Sequence, residues 1–173
     1  MTPEDLVELE LIKQLKYRYM RGLDTHDFEL LRSCFTEDVT TDYDAGSTIH
    51  TGGGSFARTG RDDLIELLQN LISHTFIGNH VATHPEITLL EPGKARGIWR
   101  MEDRVHYLAE NPLIANPGDS VHGNGHYYDE YVKVAGEWKI KHTGYVRIFE
   151  QIRRGDKDVL VVTPALGVKR GWV

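Results

Sequence analysis

Asp103 is the residue whose position most clearly indicates chemistry. It lies in the stretch "ARGIWRMEDRVHYLA" (95–109), where the odd positions are mostly apolar and the even positions are mostly charged. This alternation is typical of a β-strand with one buried face, and Asp103 shares the apolar phase. A buried carboxylate is costly unless it is paired, hydrogen-bonded or protonated. The position therefore indicates either a functional group in a cavity or a structural ion pair, and the pattern alone leaves both interpretations open.

A second ionisable pair lies near the start of the chain, where two amphipathic stretches meet. Tyr19 belongs to an apolar helical stripe, and Asp24 follows it five residues later. The two side chains can come together only if the first helix ends near Gly22 and the chain turns there. Each residue also has an ordinary structural interpretation. Asp24 can cap a second helix, and Tyr19 can be a core residue whose hydroxyl bonds to the backbone.

Histidines provide candidates for proton transfer. The stretch "GNHVATHPEI" puts His80 and His84 on one face of a strand until Pro85 interrupts it, and we expect one of the two to face the cavity. His122 and His126 have the same spacing. On a strand this spacing separates side chains by roughly 13 Å, which is too far for a shared metal ion. We therefore expect no metal, and because the stretch "TGGG" lacks the sequence context of a phosphate-binding loop, we expect no cofactor either.

Composition limits the kind of protein. With 173 residues, the chain is long enough for one well-buried core and short for two ordinary domains. Its formal net charge of −6, without a basic stripe, argues against nucleic acid as a partner. The single cysteine, Cys34, has apolar neighbours and is expected to be a buried free thiol. No signal peptide or apolar stretch of membrane-spanning length is evident, which favours a cytoplasmic location.

The first third of the chain is predicted to be helical. Thr2, Pro3 and Asp5 form a helix-start signal, and apolar residues then follow helical spacing to about residue 23. Similar spacing predicts a second helix over about 27–35 and a third over about 61–74.

The remainder is predicted to form strands. The segments 79–90, 95–109, 121–134 and 137–152 are rich in β-branched and aromatic residues and are separated by turn sequences. Helices followed by a meander indicate an α+β fold, with a curved, mostly antiparallel sheet around the first helix. We expect one domain over 1–155, a loop at the glycine-rich segment 46–54, and a tail over 156–173 that packs on this domain or on a neighbouring subunit.

Four motifs extend these expectations. They are "IKQLKYRYMRGLD", "HVATHPEI", "GIWRMEDRV" and "GEWKIKHTGYVRIFE". Over about residues 8–152 the chain resembles the SnoaL-like branch of the NTF2-like superfamily, and within it the bacterial bile-acid 7α-dehydratases and scytalone dehydratase relatives. The resemblance implies a cone in which N-terminal helices and a curved sheet enclose an apolar pocket.

The resemblance also implies a set of site residues. Carried over motif by motif, the catalytic positions are Tyr19, Asp24, His80, Asp103 and Arg147. His80 would move protons, Asp24 would select its tautomer, and Tyr19 would hydrogen-bond the substrate carbonyl or the leaving oxygen. Asp103 and Arg147 would position the substrate and its charge. We expect the substrate-binding residues to include Trp99, Met101, Tyr145 and Phe149.

The implied activity is that of a cofactor-independent dehydratase. Its substrate would be a hydrophobic, steroid-like, bile-acid-type hydroxy-3-oxo compound, free or as a coenzyme A thioester, and its assembly a homotrimer, with a dimer as the alternative. An isomerase or cyclase of the same fold needs the same acid–base groups and stays open. A non-catalytic ligand-binding module is the third possibility.

Overall fold

A computed structural model describes residues 1–43, 56–72, 76–109 and 117–154. The glycine-rich segment 46–54 and the tail 156–173 lie outside these ranges, so the boundary between domain and tail stays a prediction. Nowhere in the described ranges does a helix have both the length and the apolar character needed to cross a membrane.

The first helix, α1, spans Pro3–Thr25. The predicted start is confirmed, because the Thr2 hydroxyl accepts a hydrogen bond from the Asp5 backbone and the Asp5 carboxylate accepts one from the Thr2 backbone. The helix ends at Thr25, two residues after the predicted end at about residue 23. The helix continues past Gly22, and His26 caps it in the left-handed conformation with a φ of 55°. Asp24 consequently belongs to the last turn of α1.

Two shorter helices and two short strands follow. Helix α2 spans Phe28–Cys34, and the Asp27 carboxylate accepts a hydrogen bond from the Leu30 backbone at its start. Strand β1 (Phe35–Asp42) begins directly after it, and α2 is one residue shorter at each end than the predicted helix. Strand β2 (Arg58–Thr59) precedes helix α3, which spans Arg61–Ile72. Cys34 is a buried free thiol, as predicted.

Four long strands complete the fold, and each lies within three residues of its predicted bounds. They are β3 (Phe76–Leu89), β4 (Lys94–Tyr107), β5 (Ser120–Val134) and β6 (Glu137–Arg153). The sheet order is β2-β1-β6-β5-β4-β3. All neighbours are antiparallel except β1 and β6, which are parallel, so the sheet is mixed, consistent with the expectation of a mostly antiparallel one. The α+β class is confirmed.

One face of the sheet, here called the inner face, packs against the helices. Helix α1 buries Ile12, Leu15 and Tyr19 in a core that also contains Trp99 and Met101 of β4. The burial of β4 alternates along its whole length, with the odd positions on the inner face. The predicted phase of Asp103 is therefore confirmed: the residue is only 3% exposed.

Candidate active site

Asp24 and His80 form a close contact between the end of α1 and the strand β3. The Asp24 Oδ1 atom lies 2.7 Å from Nδ1 of His80, and both carboxylate oxygens accept from the His80 backbone N–H, at 3.0 and 3.1 Å. Both side chains are partly buried, with 14% of His80 and 26% of Asp24 exposed. Asp27, and not Asp24, caps α2, so the capping interpretation of Asp24 is wrong.

This contact defines which imidazole nitrogen is available for chemistry. An ionised carboxylate can only accept hydrogen bonds, so Asp24 favours the tautomer with its proton on Nδ1. The Nε2 atom of His80 then carries a lone pair that can take a proton. Because the carboxylate also holds the backbone of the same residue, the ring and its strand are fixed together.

Asp103 lies directly beside His80 on the neighbouring strand. The register pairs His80 with Asp103, and side chains of directly opposed residues in an antiparallel pair lie about 5 Å apart at Cβ. The Arg147 guanidinium donates to Asp103 Oδ2 and, at 2.5 Å, to Oε1 of Glu150. All three side chains of this Asp103–Arg147–Glu150 cluster are at least nine-tenths buried.

The carboxylates of Asp103 and Glu150 affect the pKa of Arg147 and occupy its guanidinium. Burial alone would lower the pKa of its guanidinium, but the Tyr145 hydroxyl and the two carboxylates outweigh burial and raise that pKa above its ordinary value. Arg147 is thus a permanent cation that already has two anionic partners. Its first effect is to hold the Asp103 carboxylate in one orientation.

An irregularity in β6 brings Glu150 into this cluster. Arg147 pairs with Gly125 whereas Phe149 pairs with Asn124, so Ile148 is the extra residue of a β-bulge. Without a bulge, residues three apart on a strand point to opposite faces, but here Arg147 and Glu150 both point inward. Sequence alternation therefore missed Glu150.

The same bulge overturns the expectation for Phe149. Its side chain is 49% exposed and packs edge-on against the ring of His122, with ring centroids 5.7 Å apart. His122 in turn contacts the exposed Glu102. Phe149 therefore lies on the outer face and does not join the inner-face site.

Tyr19 lies deeper in the core and is not bonded to Asp24. Its hydroxyl lies 3.1 Å from that of Tyr43, and its ring packs edge-on against Phe35. Burial and the neighbouring tyrosines raise the pKa of Tyr19 well above its ordinary value, and burial also raises the pKa of Tyr43. Both phenols stay protonated at neutral pH and can donate hydrogen bonds.

The remaining predicted binding residues line the inner face. Trp99 and Met101 are almost completely buried, and the Trp99 indole donates to the Tyr131 hydroxyl at 2.8 Å. Tyr145 packs against both Tyr43 and Tyr127, and the Arg147 guanidinium lies over its ring. Tyr145 therefore joins the Tyr19–Tyr43 pair to the Asp103–Arg147–Glu150 cluster. Tyr43 was missed from sequence, because it follows a short strand that the pattern did not predict.

A buried ion pair between α1 and β5 was also missed from sequence. Lys16 of α1 donates to Asp129 of β5 at 2.7 Å, and the Tyr131 and Thr143 hydroxyls donate to the same carboxylate. Burial lowers the pKa of Lys16, although Asp129 opposes this effect. Neither side chain of the ion pair has any exposed surface, so it joins α1 to the sheet and does not face a ligand.

The outer face carries His84, the alternative catalytic histidine. It is exposed, has a φ of 48°, and lies where the register between β3 and β4 shifts. The bulge thus removes His84 from the face of His80. A groove of about 360 Å³ is lined by His84, Glu86, Arg100 and His126, and a second of about 500 Å³ adjoins it through Glu86.

Apart from the alternative histidine His84, neither outer groove is lined by a residue of the predicted catalytic set. The apolar pocket on the inner side therefore stays an implication of the resemblance. Within the described ranges, no group of three or more His, Cys, Asp or Glu side chains is arranged to hold a metal ion.

Comparisons with known proteins agree with this architecture. The family model of the SnoaL-like domain matches residues 4–144, and the chain belongs to this family. A solved structure from Novosphingobium aromaticivorans DSM 12444, named as a candidate scytalone dehydratase, is 24% identical, with a TM-score of 0.71. The match covers 90% of this chain and 96% of that one.

A type 2 hexachlorocyclohexane dehydrochlorinase (LinA) has a similar fold. It is 17% identical, with a TM-score of 0.72 over 92% of this chain and 96% of its own. At these identities the two structures establish the shared fold alone. Both neighbours are named for elimination reactions, of water in one case and of hydrogen chloride in the other.

Proposed function

We propose that this protein is a cofactor-independent dehydratase that eliminates water from a hydrophobic, steroid-like hydroxy-3-oxo compound. The observation that carries the proposal is the 2.7 Å contact between Asp24 and Nδ1 of His80. A histidine oriented by a carboxylate is suited to taking a proton from carbon and returning it to oxygen. The name of the N. aromaticivorans structure supports elimination of water as the reaction.

His80 would carry out both proton transfers. Its Nε2 would take a proton from a carbon acidified by the conjugated carbonyl, and the electron pair of that C–H bond would become an enolate. When the enolate collapses, a C=C bond forms and the C–O bond to the leaving hydroxyl breaks. The imidazolium would protonate the departing oxygen, so that water leaves and His80 returns to its starting state.

The tyrosines would stabilise the enolate. Because burial keeps Tyr19 and Tyr43 protonated, their linked hydroxyls are donors of fixed orientation. Donors fixed before the reaction stabilise developing negative charge without reorganisation. In this scheme Tyr19 donates to the carbonyl oxygen and Tyr43 supports it.

Asp103 and Arg147 would position the substrate beside His80. Arg147 is already held by two carboxylates, so we assign it the task of orienting Asp103 rather than binding an anionic part of the substrate. Asp103 would then accept a hydrogen bond from a substrate hydroxyl. This assignment modifies the expectation that the pair recognises substrate charge.

The test is a product analysis with the purified protein. The chain is incubated with hydroxylated 3-oxo-4-ene steroids, as free acids and as coenzyme A thioesters. A dehydratase gives a new conjugated absorbance and a product lighter by one water. A product of unchanged mass indicates an isomerase or cyclase, and binding without turnover indicates a ligand-binding module.

The resemblance also leads us to propose a homotrimer. Exposed apolar side chains on the outer face support contact between subunits, among them Tyr128, Val146 and Phe149. Sedimentation at micromolar concentration is expected to give three times the mass of the chain. A dimer or a monomer would contradict this assembly.

A further inference from the structure

Gly123 lies at the centre of the Asp103–Arg147–Glu150 cluster but contributes no side chain to it. The register pairs Gly123 with Asp103 on one side and with Glu150 on the other. It is therefore the residue of β5 that separates the two carboxylates on the inner face. The Arg147 guanidinium, which bonds to both of them, must cross over it.

The space above Gly123 is already filled. A Cβ atom built there would overlap Oδ1 of Asp103 and would lie 2.7 Å from Nε of Arg147. A Cβ atom does not come this close to other atoms in a folded protein. Any larger residue at position 123 must therefore displace the ion pair. The close approach, and not a backbone torsion, is what requires glycine at this position.

A second glycine, Gly125, allows Arg147 to reach this point. A Cβ atom built at Gly125 would overlap the carbonyl oxygen of Val146 and would lie 2.7 Å from Cα of Arg147. The backbone of β6 thus comes unusually close to β5 just where Ile148 forms the bulge. The motif "HGNGH" (122–126) therefore supplies two bare positions next to the irregularity that turns Arg147 inward.

The atoms that meet over Gly123 are also those with unused hydrogen-bonding capacity. Considering the described residues, Oδ1 of Asp103 and Nε of Arg147 are buried and lack a hydrogen-bond partner. Buried polar atoms of this kind are rare and expensive. The bond between Arg147 and Oδ2 of Asp103 holds both atoms against the bare strand, which makes the cluster sensitive to what stands at position 123.

We propose that Gly123 is a positioning residue of the active site. By leaving the inner face of β5 bare, it lets Arg147 clamp the Asp103 carboxylate beside His80. This inference rests on the proposed function for its catalytic consequence, but its structural part can be tested without any substrate.

The experiment is a double-variant cycle with Gly123→Ala and Asp103→Ala. In urea unfolding, Gly123→Ala is expected to lower the midpoint clearly in the wild-type chain and much less in the Asp103→Ala chain, where the overlapping carboxylate is gone. With a substrate that the protein turns over, Gly123→Ala is expected to lower kcat/KM by about 100-fold, because an ångström-scale misplacement has an effect of that order. The double variant should be no slower than Asp103→Ala.

Gly97→Ala is the matched control. Gly97 lies on the inner face of the neighbouring strand β4. A Cβ atom built there would lie 3.0 Å from Trp99 and Tyr131, and Asp103 is not among its nearest neighbours. Its effect on the unfolding midpoint should be the same with and without Asp103→Ala.

The outcomes separate the two proposals. If Gly123→Ala does not fold but Asp103→Ala/Gly123→Ala does, the rescue supports the proposal. If neither folds, or if the midpoint shifts of Gly123→Ala and Asp103→Ala add, the need for glycine is independent of Asp103 and the proposal is overturned. If no steroid is turned over, the proposed function fails while the unfolding cycle still tests the role of Gly123.

Discussion

The Asp24 carboxylate lies 2.7 Å from Nδ1 of His80, although 56 positions separate the two residues in the sequence. One residue belongs to the last turn of α1 and the other to the first half of β3. The contact joins the helix to the sheet through a side chain that binds both backbone and ring. If Asp24 only held the backbone of β3, a contact with the imidazole ring would not be required. The contact with the ring is why the pair is the centre of the proposed mechanism.

Asp24→Asn is expected to lower kcat by between about 100-fold and 10,000-fold while the chain stays folded. The amide oxygen can still accept from the His80 backbone, but an NH₂ group facing the ring favours the tautomer that carries its proton on Nε2. Steady-state kinetics and thermal melting of the same sample provide the measurement. Asp27→Asn is the control: it keeps a good helix cap and should leave kcat unchanged.

Asp103→Ala is expected to destabilise the fold by about 3 kcal/mol or more, because it leaves a buried guanidinium with one partner fewer. Asp103→Asn keeps the shape and should fold, yet it should lower turnover or substrate affinity. Urea unfolding and kinetics measure the two effects. Asp62→Asn is the control. It removes the exposed carboxylate paired with Arg32 and should change neither the free energy of unfolding nor the turnover. Normal activity in Asp103→Asn would make Asp103 a structural ion-pair partner only.

Stability is expected to fall as the pH rises above about 10. Burial raises the pKa of the phenols of Tyr19, Tyr43, Tyr107, Tyr127 and Tyr131 above their ordinary value of 10.0. Their protons are held by the folded state and released by the unfolded chain, so the stabilisation is complete below pH 10 and is lost above it. Lys16 contributes a change of stability with pH in the opposite direction, because burial lowers its pKa from 10.5. It is one group against five phenols.

Urea unfolding at a series of pH values measures this slope. Each phenol contributes about 1.4 kcal/mol per pH unit to it. Tyr43→Phe should therefore make the slope shallower by about that amount. A free energy of unfolding that stays constant from about pH 10 to about pH 12 would contradict the burial of these phenols.

Phe149→Ala is expected to leave kcat/KM unchanged, whereas Tyr145→Ala should raise KM. The bulge at Ile148 puts Phe149 on the outer face, while Tyr145 packs against Tyr43 and Tyr127 on the inner face. Kinetics on the two variants decide between this arrangement and the regular alternation, in which both residues would line the pocket. A similar rise in KM for both variants would argue for the regular strand.

Much of the fold could be predicted because its signals are local. The start of α1, the four long strands and the inward phase of Asp103 all follow from spacing within one segment. The end of α1 lies two residues beyond the predicted one, because Gly22 resembles a helix stop but is followed by three more helical residues. In the structure its close contact with Leu31 serves the packing of α1 on α2, since a Cβ atom there would lie 2.9 Å from that side chain.

The rest depends on contacts between distant segments. Strand β1 is short and its main partner, β6, is parallel to it and lies about a hundred residues away. Lys16 appears as a polar interruption of an apolar stripe until Asp129, 113 residues later, is known to lie beside it. Glu150 enters the site only through a bulge, whose one local signal is the pair of strand glycines in "HGNGH".

The most direct test of the mechanism is the catalytic coupling between Asp24 and His80. kcat/KM is measured for the wild-type chain, for Asp24→Asn, for His80→Ala and for the double variant on one steroid substrate, with melting curves to show that each chain is folded. The mechanism predicts that His80→Ala abolishes proton transfer and that adding Asp24→Asn then costs little more, because the two residues act as a unit. Losses that multiply in the double variant would show that Asp24 and His80 act independently, and the proposed acid–base pair would be contradicted.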